Sequence, residues 1–97
     1  MMLYTTQTLP QNKRDLTHVE FRRKFTSEEQ ELIDELEVGF ESNPGLTVAQ
    51  KRTLRTGYKN FYAATVVNMD DPDVPKMLEL YVALGLLTPN RPAEIIA

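Results

Sequence analysis

The 97-residue chain contains no cysteine and no tryptophan, one histidine and only four glycines. Without cysteine there is neither a disulfide framework nor a thiolate metal site, and the composition fits a reducing compartment. His18 is the only histidine, so no histidine pair for metal binding or proton relay can form within one copy. No apolar run approaches the ~20 residues that cross a bilayer, and the longest, Tyr81 to Leu87, is interrupted by Gly85. Met1 to Pro10 has no basic start ahead of a long apolar stretch, so no secretory signal is expected. We expect a soluble protein of the cytoplasm in which it is made. No G-x-S-x-G, P-loop, H-E-x-x-H or dinucleotide-binding glycine pattern occurs, which makes an enzyme the least expected class.

What is present suits one small domain. A chain of this length buries roughly two-thirds of the surface its unfolded form exposes, and 41% hydrophobic residues can supply one modest core. The net charge of −3 hides a strong segregation: residues 1–25 carry +3, 26–43 carry −7, 44–66 carry +4 and 67–97 carry −3. Blocks alternating in sign let neighbouring helices face one another with opposite charge.

The periodicities predict an all-α fold, a small bundle of three to five helices over residues 13–97, preceded by an extended arm over 1–12. Asp15 or Thr17 would cap a short helix reaching Lys24, turning Leu16, Val19 and Phe25 inward and Phe21 elsewhere. Thr26 with Glu29 forms a capping box for a second helix. Its stripe is Leu32, Ile33, Leu36 and Phe40, and Asn43-Pro44-Gly45 stops it through a left-handed glycine. Thr47 with Gln50 opens a third helix of about twenty residues, its buried side marked by Leu54, Tyr58, Phe61 and Thr65, with Tyr62 at the edge. Gly57 in its middle is expected to mark a close helix crossing, since glycine there costs about 1 kcal/mol relative to alanine. Asp71 or Asp73 would cap the next helix. From Val74 to Leu84 that helix is apolar almost all round, so it is central to the fold or covered in part by another chain. Gly85 ends it, and Thr88-Pro89 begins a last short helix carrying Ile95 and Ile96.

Candidate chemistry is sparse. His18 reads as an exposed first-turn residue. Asp70, Asp71 and Asp73 lack the spread, the turn glycine and the closing glutamate of a calcium loop, and capping explains them better. Glu31 and Glu35 read as solvated charges on an open helix face. Lys51, Arg52, Arg55 and Lys59 fall within about a 100° sector of the third helix. Such a stripe can meet phosphates, but the chain is acidic overall, so a complement to acid within the molecule or between subunits is the favoured reading. With Leu80, Tyr81 and Leu84 of the apolar helix, these four cations are the candidate partner-binding residues. No metal, cofactor or catalytic residue is expected.

Asn68-Met69-Asp70-Asp71-Pro72-Asp73-Val74, Leu84-Gly85-Leu86-Leu87-Thr88-Pro89-Asn90-Arg91 and Ala93-Glu94-Ile95 form a distinctive ending. It resembles that of short proteins encoded near the structural genes of tailed bacteriophages and prophages. These close on a D-D-P-x-V stretch, a short apolar helix and a G-L-L-T-x-x-R-x-x-E-I tail. Phe21-Arg22-Arg23-Lys24-Phe25-Thr26, followed by acidic residues, is similar to their openings. Pro92 departs from the small or aliphatic residue common there and would shorten the last helix. The family carries no established catalytic residues. The resemblance implies a phage context, with synthesis in the host cytoplasm and a place in the virion or its assembly. The expected function is a non-enzymatic interaction protein whose partner is itself or a phage structural protein. The alternative is a small nucleic-acid-binding or regulatory domain using the basic face that begins near Thr47.

Overall fold

The computed structural model describes residues 14–97, so the arm expected over 1–12 lies outside the described residues. The chain runs through β1 (Asp15–Leu16), α1 (His18–Arg22), α2 (Ser27–Gly39), a 3-10 turn (Phe40–Ser42), α3 (Val48–Ala63), β2 (Val67–Asn68), α4 (Asp73–Ala83) and α5 (Arg91–Ile96). Five helices fall within the expected range. The β structure among the described residues is one antiparallel bridge, with Asp15 opposite Asn68 and Leu16 opposite Val67.

Local chemistry starts three of the helices. Thr17, Thr26 and Thr47 each accept a hydrogen bond from the backbone N–H three residues on, at 3.1, 3.1 and 3.0 Å. The side chains of Glu20, Glu29 and Gln50 accept from the threonine N–H at 2.8, 2.9 and 2.9 Å in return. Two orphan amides are satisfied at each start. At α4 the cap position is Pro72, which makes no side-chain bond. Asp71 does that work instead, its carboxylate accepting from the Asp73 N–H at 2.9 Å.

The helix ends divide the expectations. Gly85 stands at φ 84°, and Leu86 and Gly85 donate to the carbonyls of Tyr81 and Val82 at 2.9 and 3.0 Å. That is a Schellman close, which glycine enters without a Cβ clash. The turn after α2 is built differently from the left-handed glycine expected of it. α2 tightens into the 3-10 turn, and the Asn43 side chain then accepts from the Gly45 N–H at 2.8 Å without a positive φ. α3 spans sixteen residues rather than about twenty, leaving Thr65 exposed beyond its end. Pro92 lies in the first turn of α5, where its missing N–H removes no helical bond. It therefore helps to begin the helix instead of shortening it.

Phe25, Phe40, Leu54, Val67, Met69, Leu78, Tyr81, Leu87 and Ile95 form the buried core. Gly57 does mark a close crossing: a Cβ there would sit 2.7 Å from the Met77 sulfur of α4. α1 faces the other way from the expectation. Val19 is 57% exposed, whereas Phe21 packs on the core edge-on to Phe25 and tilted against Phe61. A helix of five residues can present only one narrow face, and the larger ring gains more from that face than valine does. For the same geometric reason Ile33, Leu36 and Phe40 hold the α2 seam, and Leu32 turns outward.

The alternating charge blocks meet as opposites. Arg22 forks onto Asp34 and Arg55 onto Glu41, every contact between 2.6 and 2.8 Å, while Arg91, a cation of the acidic last block, forks onto Glu29 at 2.8 Å. Arg14 ties the start of the described chain to its finish, bonding Asp70 and the Ile96 carbonyl.

Candidate functional site

The residues nominated from the sequence do not come together. Tyr81 is buried, and Leu80 and Leu84 are half-buried against the core, so these three residues do not form a free apolar face. An all-round apolar helix is what a central element needs, and α4 packs on both α3 and α5. The basic stripe is partly neutralised. Arg55 is held by Glu41, which lowers the carboxyl pKa through the fork and, to a lesser degree, through nearby Lys51. Arg52 and Lys59 remain exposed.

The site that the structure does build is a cleft of about 350 Å³ between α1, α2, α3 and α4. Phe21, Phe25, Ile33, Phe61, Met77 and Leu78 supply much of its apolar wall. Its volume is within the range of pockets that hold a small ligand or an anchoring side chain. At the mouth Val19 and Tyr62 are 57% and 60% exposed. Glu37, Asp71 and Asp73 also line it, while the nearest cation, Arg22, is bonded to Asp34. The cleft is thus greasy inside and acidic around its edge.

The three tyrosine hydroxyls of its wall are all hydrogen-bonded. The Tyr58 and Tyr81 hydroxyls lie 3.1 Å apart. Burial raises the pKa of both phenols above the ordinary value, so each stays protonated across the physiological range. The Tyr62 hydroxyl donates to Glu37 at 2.7 Å, and that bond, with some burial, pushes its pKa up to about 12. Among the described residues no group of three histidine, cysteine or acidic side chains is placed to hold a metal ion, and no helix is long and apolar enough to cross a membrane.

His18 is a correction. Its ring is half-buried and stacks on Phe61 with centroids 4.3 Å apart, and Nε2 is buried without a hydrogen-bond partner. Leaving such a group unpaired costs roughly 1–3 kcal/mol. His18→Phe keeps the stack and removes the orphan nitrogen, so it should raise the unfolding free energy by about 1 kcal/mol. Urea titration followed by circular dichroism reads this, and a loss of stability would mean the nitrogen has a partner.

Comparison with protein-family models, curated proteins and solved structures finds no match. The site therefore rests on its own geometry. Sequence reasoning missed the cleft because its walls come from five separate segments, none of which looks unusual alone. The one available signal was Tyr62, marked as an edge residue of α3.

Proposed function

We propose that this chain is a non-enzymatic docking protein of bacteriophage or prophage origin, acting as a virion component or assembly factor. Its cleft receives an apolar anchor from a phage structural protein. The observation that carries this reading is the cleft itself, an apolar wall opening between two exposed apolar residues, Val19 and Tyr62. Anchors of this kind fill a pocket with one or a few large side chains while a polar rim sets their orientation. Here the rim bears Glu37, Asp71 and Asp73, so the complementary partner segment carries lysine or arginine beside its apolar residue. The phage context comes from the resemblance of residues 68–74, 84–91 and 93–95, and the absence of a catalytic motif favours binding over turnover.

The nucleic-acid alternative loses ground. Arg55 is already paired within the chain, and the −7 block lies against the basic helix through Glu37 and Glu41. Phosphate binding draws most of its affinity from a net basic surface, and this chain is acidic overall.

A photo-crosslinking residue at Tyr62, in host cells producing the phage particle, tests the docking. The expected result is one discrete adduct with a structural protein, reduced roughly tenfold by Val19→Glu, because a carboxylate would then be desolvated in an acidic mouth. Val19 is exposed, so the variant folds. No adduct, or one indifferent to Val19→Glu, overturns the reading.

A further inference from the structure

We propose that copies of this chain associate with one another through the outer faces of α2 and α3, the acidic stripe of one copy lying on the basic stripe of the next. The surface shares no residue with the cleft lining, so it stands independently of what the cleft binds.

On α2, Glu28, Glu31, Glu35 and Val38 follow a 3-4-3 spacing, which places them on one face, opposite Ile33 and Leu36 of the core seam. All four are exposed, Val38 at 90%, and the three carboxylates have no hydrogen bond or ion pair. On α3, Val48, Arg52 and Lys59 share a face with Arg55 between them. Val48 is 72% exposed, and Arg52 and Lys59 are likewise unpaired. Where α2 and α3 meet other segments, charges of opposite sign are matched, as in Arg22–Asp34, Arg55–Glu41 and Arg91–Glu29. Those left over on these two helices are not mixed. They separate by sign, acids on α2 and bases on α3.

Such sorting has a local cost. Like charges three or four residues apart, as in Glu28–Glu31–Glu35 and Arg52–Arg55–Lys59, each oppose their own helix by a few tenths of a kcal/mol. An opposite stripe laid over them turns that repulsion into attraction. The lengths agree: at about 1.5 Å per residue the stripes run about 15 and 16 Å, so one covers the other from end to end. Each stripe also carries one protruding valine, a small apolar contact inside an otherwise charged surface. Two narrow helix faces bury less than the ~1,200 Å² of a standard interface, so the contact is weak and concentration-dependent. An acid stripe and a basic stripe are different surfaces. The contact is therefore heterologous, and every added copy leaves a stripe open for another.

Sedimentation velocity of the purified full chain tests this. The mean mass should rise above the monomer with concentration at about 20 mM salt, and the association should weaken roughly tenfold at about 300 mM, where charges are screened beyond several ångströms. E31K/E35K alone and R52E/K59E alone should each stay monomeric. An equimolar mixture of the two should associate again, because the unaltered basic α3 of the first variant meets the unaltered acidic α2 of the second, and the two altered stripes are again opposite in sign. That rescue separates a lost charge match from a damaged fold, which circular dichroism also checks, and E31K/E35K/R52E/K59E alone should self-associate through the reversed contact. A strict monomer at low salt, association indifferent to salt, or a mixture that stays monomeric would each overturn the proposal.

Discussion

Leu54→Ala should lower the unfolding free energy by about 3–4 kcal/mol, within the spread found when a fully enclosed leucine is truncated. Leu54 is fully buried at the middle of α3, and Leu78 of α4 and Ile95 of α5 are within 1% of that limit. These three side chains come from three helices, and no other side chain of the core is so fully enclosed. The space left by truncation is walled by helices pinned elsewhere: α3 by its cap at Thr47, α4 by its Schellman close, and α5 by Arg91. Collapse into the cavity is therefore limited, and the loss combines a transfer part with a cavity part. For a domain this small, such a loss is a large fraction of the total. Urea titration should show the midpoint falling with an unchanged slope, since the surface exposed on unfolding is the same. A loss below about 1 kcal/mol would mean that the three helices do not share one core.

The second large effect is at Arg91. Its guanidinium donates to both oxygens of Glu29 at 2.8 Å, to Glu94 at 2.9 Å and to the Lys24 carbonyl at 2.9 Å. The Arg91 and Glu29 side chains are only 21% and 12% exposed. The same Glu29 oxygen that accepts from Arg91 also accepts from the Thr26 N–H. One carboxylate thus starts α2 and docks α5. Arg91→Met keeps the apolar stem but leaves Glu29 largely desolvated without its cation, and we expect a loss of about 2–3 kcal/mol.

The pH dependence carries the same signature. The hydrogen bond from Arg91 lowers the Glu29 pKa below the ordinary carboxylate value, against the opposing effect of burial. A carboxyl whose folded pKa is depressed contributes stability that is fully present above its unfolded pKa, about 4.3. The contribution is lost as pH falls through the folded value. Asp34 and Glu41 shift in the same direction through Arg22 and Arg55. Stability should therefore be level near neutrality and fall below about pH 4.5. Arg91→Met should make that acid-side fall shallower, because part of the linkage is gone. Unfolding free energies measured from pH 7 down to about pH 3 decide it. An equally steep fall in the variant would show that Glu29 is not linked to Arg91.

Glu29 and Phe21 show how far a reading along the chain reaches. Thr26 and Glu29 are three residues apart, so their mutual bonds depend only on helical geometry and were legible in advance. The same holds for Thr47 with Gln50 and for the glycine stop at position 85. Arg91 lies sixty-two residues from Glu29, and nothing in either neighbourhood marks them as partners. Sequence spacing sets Phe21 on a different side from Val19, but one turn of helix is too short for its period to choose which side is buried. Its neighbours Phe25 and Phe61 choose it instead. The cleft belongs with these cases, since His18, Ile33, Tyr62 and Met77 become neighbours only after the chain has closed on itself.

The helical class, the capped starts of α1, α2 and α3, the Gly57 crossing and the segregation of charge into blocks were thus written in local spacing and composition. Those features arise from bonds spanning three or four residues and from apolar periods several turns long, which bias each segment before any tertiary contact forms. Folding settled which side of α1 is inside, the bridge between Leu16 and Val67, the covering of α4 and the opening of the cleft. Each of these is a competition among distant segments for the same limited buried volume, and it is won by whichever arrangement encloses the most apolar surface while leaving its charges paired or wet.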